Sequence, residues 1–187
     1  MSTALLLIDI QNDYFPDGAL PVVGATEAAT KAAELLAAFR QHALPVIHIQ
    51  HIAKRPGATF FVPGTAGAEI HPSVAPQSGE TVFVKHFPSC FRDTPLLEHL
   101  QAASINKLFV AGMMTHMCID TTVRAAADLG FTCLLAQDAC ATRDLAFAGA
   151  DVPAWQVQAA YLAALNGIFA SVQPTSELCA ELSAAKA

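Results

Sequence analysis

What most constrains the fold of this chain is a repeated alternation. Short, largely apolar runs at 3–8, 46–50, 81–84, 108–111, 131–136 and 168–172 are separated by stretches whose apolar residues recur at helical spacing. A strand buried on both faces reads as a nearly continuous apolar run, whereas a half-exposed strand alternates. The intervening segments carry the helical period: Ala28, Ala32, Leu35, Leu36 and Phe39 within 25–42, and Ile119, Val123, Ala126 and Leu129 up to Gly130. Pro95 starts a helix over 94–103. Another opens at Pro153, places Val157, Ala160, Tyr161 and Ala164 on one face, and stops at Asn166-Gly167; the last covers 174–185. Strand and helix in strict turn predict one α/β domain over 1–187, with a six-stranded parallel sheet between two helical layers.

In a sheet of this Rossmann-like kind, ligands bind beyond the carboxyl ends of the strands. Asp9, His51, Lys85 and Asp138 stand at such ends, and Cys118 joins them through the turn at Gly112. An Asp in this position often fixes a helix end, and that is the reading for Asp138. Cys118 falls in the first turn of a helix, where unpaired backbone N–H groups and the helix dipole favour a thiolate. A free cysteine can equally be a small buried hydrophobe, and position alone leaves both readings open. His116 lies two residues from that cysteine, so on a helix it faces away, which suits a structural role. The Pro- and Gly-rich stretch 53–79 shows no period; a connection this long forms a lid, a binding-site wall or a subunit contact.

Several classes are excluded or disfavoured. The net charge is −6 with no basic run, which argues against a nucleic-acid partner. No apolar run approaches a membrane span, and the first apolar run lacks a basic region before it and is broken by Asp9. The five cysteines are odd in number and form no C-x-x-C pair, so reduced thiols in a cytoplasmic protein are expected. No G-x-G-x-x-G follows a strand, which disfavours a dinucleotide enzyme. With 53% hydrophobic and only 14% charged residues, some apolar surface is expected to meet another subunit.

Three segments, LLLIDIQNDYF around Asp9, FVKHFPSCF around Lys85 and VAGMMTHMCIDTTVRAAADLGF around Cys118, occur in that order and are followed by AQDACAT. In these the chain resembles the isochorismatase-like cysteine hydrolases, which include nicotinamidases and N-carbamoylsarcosine amidase. The resemblance implies a triad of Asp9 as proton acceptor and donor, Lys85 as its cationic partner, and Cys118 as nucleophile. It implies an oxyanion hole from the backbone N–H groups of Met114 and Cys118, with a cis bond between Met113 and Met114. The substrate would be a small amide, and homo-oligomers are expected. Tyr14, Phe15, Phe60, Phe61, Phe87 and Met113 are the expected walls, with Phe147 or Trp155 supplied by a neighbouring subunit and Cys90 as lining. Nicotinamidases carry a metal-binding D-x-H motif where this chain has His51-Ile52-Ala53, and His48, His51 and His71 do not reproduce it, so neither metal nor cofactor is expected. Isochorismatases that cleave an enol ether lack the nucleophilic cysteine. A ligand-binding or redox-sensing protein with a reactive thiol is the alternative from another class.

Overall fold

The computed structural model describes residues 2–184. Strands β1 (Ser2–Ile8), β2 (Val46–His51), β3 (Thr81–Lys85), β4 (Ile105–Met113), β5 (Thr132–Ala141) and β8 (Ser171–Gln173) form one sheet in the order β3-β2-β1-β4-β5-β8, and every pairing is parallel. Helices α1 (Ala25–Gln41), α2 (Leu96–Ala102), α3 (Asp120–Asp128), α4 (Ala154–Leu165) and α5 (Thr175–Ala184) flank it. The expected end of the last helix at Ala185 lies outside the described residues.

The apolar runs have the cause inferred for them. In β1, Leu5 and Leu7 pack into a cluster with α1 and α5, while Ala4, Leu6 and Ile8 pack into a second cluster with α2 and α3. From Ala4 to Ile8 both faces of the strand are therefore dry, and this run holds no polar residue until Asp9. On the first face Phe39 of α1 meets Phe109 of β4 edge to face, with ring centroids 5.1 Å apart. Asp138 fixes the start of α5: its Oδ1 accepts hydrogen bonds from the Thr175 backbone N–H (2.8 Å) and hydroxyl (2.7 Å).

Several elements differ from the sequence expectation, among them the last strand, expected over 168–172 but spanning Ser171–Gln173 because Ile168 lies exposed in a turn. β5 does not stop at Ala136 but runs to Ala141, because a register shift against β4 lets Gln137 and Asp138 bulge out before Cys140 and Ala141 rejoin Gly112 and Met113. The segment after it holds a small antiparallel hairpin, β6 (Leu145–Phe147) with β7 (Ala150–Val152), too short to carry a periodic signal. In α4 the buried residues are Ala154, Val157 and Leu165, whereas Ala160 and Ala164 face outward; with apolar residues all round, periodicity could not choose a face. Residues 115–119 form a wide π-type turn instead of the first turn of α3. No helix among the described residues is long and apolar enough to cross a membrane.

Candidate active site

β1 delivers Asp9 directly beyond its last residue, in a left-handed backbone conformation (φ +52°) and with no solvent exposure. β4 passes close beside this point. Gly112 has φ +136°, and a Cβ there would lie 2.0 Å from the Ile8 carbonyl oxygen, so only glycine fits. The Met113–Met114 peptide that follows is cis. The chain then enters the π-type turn, in which the Met114 carbonyl accepts from the N–H groups of Met117 (3.0 Å) and Ile119 (3.3 Å). The Thr115 hydroxyl fastens the turn to Gln158 Oε1 of α4 (2.7 Å) and to the Ala141 carbonyl (3.1 Å). Cys118 is thereby held beneath the sheet's carboxyl edge, 5% exposed.

β3 ends on Lys85, whose ammonium is the hub of the site. Nζ lies 2.6 Å from Asp9 Oδ2, 3.1 Å from Cys118 Sγ and 3.0 Å from His51 Nδ1, and it donates to the Phe87 and Pro88 carbonyls at 3.2 and 3.4 Å. An ammonium has no lone pair, so His51 Nδ1 must accept and its ring proton sits on Nε2. Gln11 fixes His51 by accepting from its backbone N–H (2.7 Å) and donating to its carbonyl (2.9 Å). Asp9 Oδ1 is fully buried and accepts from no N–H or O–H group among the described residues, and the Cys118 thiol is the hydrogen-bond donor beside the carboxylate. A carboxylate oxygen left open beside a thiol is placed to receive a proton.

Burial, the largest influence on Asp9, would raise its pKa, but the Lys85 charge, with the hydrogen bond from Cys118, holds it below the usual carboxylate value. Burial works against the Lys85 charge too, yet Asp9 and Cys118 raise its pKa above that of an ordinary lysine. Burial and then the Asp9 charge push the Cys118 thiol well up, against the opposing pull of Lys85. The resting site is thus carboxylate, ammonium and thiol. Burial and the Asp9 carboxylate outweigh the stabilisation that a helix start would give a thiolate, and 115–119 is not the first turn of a regular helix, so a proton acceptor for the thiol is needed, as expected of Asp9.

Asp9, His51 and Cys118 are also the one trio among the described residues whose ligand atoms come close enough for an ion, within 4.8 Å of one another. The Lys85 ammonium already contacts all three, so it occupies the place a cation would take, and Ala53 supplies no ligand at the D-x-H position.

A cavity of about 530 Å³ opens above this group, lined by His51, Phe60, Pro88, Met114, His116 and Met117 among others. Of the expected walls, Phe60 lines it. Tyr14 and Phe61 lie buried behind, their rings 4.7 Å apart, and Met113 is in the core. Phe87 contributes its backbone carbonyl, while its ring lies under the Arg92 guanidinium. Phe15 stacks on His71 at 3.6 Å and lines a different cavity of about 540 Å³ that shares no residue with the first. Cys90 is fully buried against Thr122, and Phe147 and Trp155 are 82% and 70% exposed. Sequence reasoning missed Gln11, since nothing marks a buried glutamine as a clamp. It also set His116 aside as structural; the wider π-type turn changes the angular spacing, and His116 lines the cavity.

Comparison with known proteins identifies the family. The Isochorismatase domain family model matches residues 3–172. An uncharacterized isochorismatase family protein of Bacillus subtilis is 50% identical over 175 residues, 94% of this chain and 97% of that protein. A crystal structure from Oleispira antarctica superposes with a TM-score of 0.93 at 53% identity, covering 96% of each chain. The nicotinamidase/pyrazinamidase of Mycobacterium tuberculosis is 28% identical over 148 residues, 68% of this chain and 80% of that enzyme.

Proposed function

The chain belongs to the isochorismatase family of hydrolases, and from that premise we propose that it is a cysteine-dependent amidohydrolase using Asp9, Lys85 and Cys118. The observation that carries this reading is the open Asp9 Oδ1 in a fully buried, Lys85-paired carboxylate beside a protonated thiol. The similarity to a nicotinamidase adds weight to an amide as substrate.

The reaction runs in two halves. Asp9 takes the Cys118 proton as Sγ bonds to the amide carbonyl carbon, and the Met114 and Cys118 backbone N–H groups receive the developing oxyanion. Asp9 then returns the proton to the leaving nitrogen, the C–N bond breaks, and an amine or ammonia departs from a thioester. Water, deprotonated by Asp9, attacks the thioester; the carboxylic acid leaves and the thiol is restored. Lys85 keeps Asp9 ionised between turns and stabilises the anionic sulfur while it forms. A redox-sensing role suits the site less well, because a buried protonated thiol is a slow target for oxidants.

The test is ammonia release from a panel of primary carboxamides and ureido compounds, with intact-mass capture of the acyl-enzyme. Cys118→Ala is expected to abolish both, and full activity in that variant sinks the assignment. Homo-oligomerisation is part of the same proposal, supported by Phe147, Trp155 and Ile168, which are 82%, 70% and 82% exposed. Light scattering on the native chain and on Trp155→Lys measures it, and a monomer in both refutes it.

A further inference from the structure

The positive charge of this protein is unevenly spent. The sequence holds ten Lys and Arg against sixteen Asp and Glu. Lys31, Arg40, Lys85, Lys107 and Arg124 are each paired with a carboxylate. Among the described residues Arg92, Lys54, Arg55 and Arg143 are in no ion pair; Arg92 lies over the Phe87 ring, and the other three line the cavity above Cys118, together with His51, His86 and His116. No Asp or Glu lines it. In a chain of net charge −6, three cations grouped without a carboxylate at the mouth of one cavity leave an uncompensated positive field there.

The backbone next to the cations is anchored. The segment before Lys54 is tied down by Ile52 N–H to the Lys85 carbonyl (2.9 Å), Ala53 N–H to the Phe61 carbonyl (2.9 Å) and His86 Nδ1–H to the Ile52 carbonyl (2.7 Å). On the opposite side Thr142, next to Arg143, is held through its hydroxyl by His116 Nδ1 at 2.6 Å. The Arg143 charge reaches inward: after burial, it is what lowers the His116 pKa, and it acts on buried Tyr14 as well. Apart from Thr59 the rest of the lining is apolar, Leu20, Phe60, Pro88 and Met114 among it.

We propose that the substrate is an anionic amide, an apolar or planar body bearing a carboxylate that pairs with Arg143, Lys54 and Arg55 while its scissile carbonyl lies over Cys118. This rests on the amidohydrolase reading for the chemistry but not for the charge preference, which belongs to the cavity. Apolar walls facing three unpaired cations select a molecule with one apolar and one acidic end, and a neutral amide of the same shape leaves the cations unmatched.

The charge preference can be read at the thiol without knowing the substrate. Iodoacetate and iodoacetamide differ by a carboxylate against a carboxamide, and both alkylate sulfur. At low salt, the iodoacetate-to-iodoacetamide rate ratio at Cys118, followed by peptide mass mapping, is expected to exceed that of the neutral free thiol N-acetylcysteinamide by about tenfold. Added sodium chloride should shrink the excess. Lys54→Gln/Arg55→Gln/Arg143→Gln should return the ratio to the free-thiol value, and Arg143→Gln alone, which removes one surface side chain, should lower it part of the way. A native ratio at or below that of the free thiol overturns the proposal, as does a triple variant that keeps the excess. In turnover, succinamate is expected to outrun butyramide, its uncharged counterpart, at least tenfold in kcat/KM; equal rates overturn the anionic class. If no amide releases ammonia while the alkylation excess persists, the amidohydrolase reading fails and the anion selectivity stands.

Discussion

Lys85 Nζ lies 2.6 Å from Asp9 Oδ2, and neither side chain has any solvent exposure. Two opposite charges without water depend on each other, so removing one strands the other. Lys85→Met keeps the stem and deletes the charge; it is expected to cost about 3–5 kcal/mol at neutral pH and about 10²–10⁴ in rate, since a protonated Asp9 cannot accept the thiol proton. The pH window follows from the shifts. The folded pKa of Asp9 is lowered, so its contribution is present above the unfolded value of about 3.9 and lost as pH falls through the folded one. The folded pKa of Lys85 is raised, so its contribution is complete below about 10.4 and lost as pH rises through the folded value. Urea midpoints for the native and variant chains should therefore differ most between those limits and converge in acid. A constant difference across pH would contradict the pairing.

Asp9→Asn separates reactivity from catalysis. In the native site the Asp9 charge, second to burial, raises the Cys118 pKa, while the Lys85 ammonium 3.1 Å from the sulfur lowers it. Replacing the carboxylate with a carboxamide removes the first charge and keeps the second, so the thiol ionises at a lower pH. The variant is expected to alkylate faster with iodoacetamide at neutral pH than the native chain, yet to turn over amide about 10²–10⁴ times more slowly for want of a proton acceptor. Slower alkylation would place the two residues in some relationship other than base and nucleophile.

The sheet and the three chemical groups were legible in the sequence because each is written in local residue types: apolar runs for doubly buried strands, and a polar residue where each run ends. Asp9 and Lys85 end β1 and β3, and strand order β3-β2-β1 brings them together across His51. What was not legible depends on backbone shape. No residue pattern separates a π-type turn at 115–119 from the start of α3, and that difference decides whether His116 faces the cavity. Phe60 and Phe61 are neighbours of the same kind, yet Phe60 meets the cavity while Phe61, in a left-handed conformation (φ +53°), has its ring fully buried. The ionisation state of Cys118 depends on burial and on two charges distant in sequence.

Gly112→Ala tests how β4 is fitted to β1. The added methyl would sit 2.0 Å from the Ile8 carbonyl oxygen, a backbone atom that cannot rotate away, at φ +136°. The steric and conformational terms together suggest a loss of about 2–4 kcal/mol, or roughly 5–15 °C in Tm for a chain of this size. Because Ile8 immediately precedes Asp9 and Gly112 precedes the Met113–Met114 bond, the strands must part where the site is assembled. Activity measured well below the melting point should therefore fall as well. A variant that melts lower but keeps its full rate would show that the strands separate elsewhere.

Asp13 is the other buried acid among the described residues; it lines the second cavity and holds a wall of the first. Its Oδ2 accepts from the Phe61 backbone N–H at 2.6 Å and its Oδ1 from that of Ala19 at 3.2 Å, tying the loops that carry Phe60 and Leu20 to one carboxylate. Gly67 packs so tightly on it that a Cβ there would lie 2.0 Å from Oδ1. Asp13→Asn keeps the shape, but its NH₂ cannot accept, so one of the two backbone donors loses its partner at a cost of about 1–3 kcal/mol. The triad is untouched, whereas the Phe60 and Leu20 walls loosen. The expected kinetic result is a KM raised several-fold for any amide the enzyme turns over, with kcat within about twofold of native. The same loss appearing in kcat with KM unchanged would mean that Asp13 supports the chemistry and not the wall.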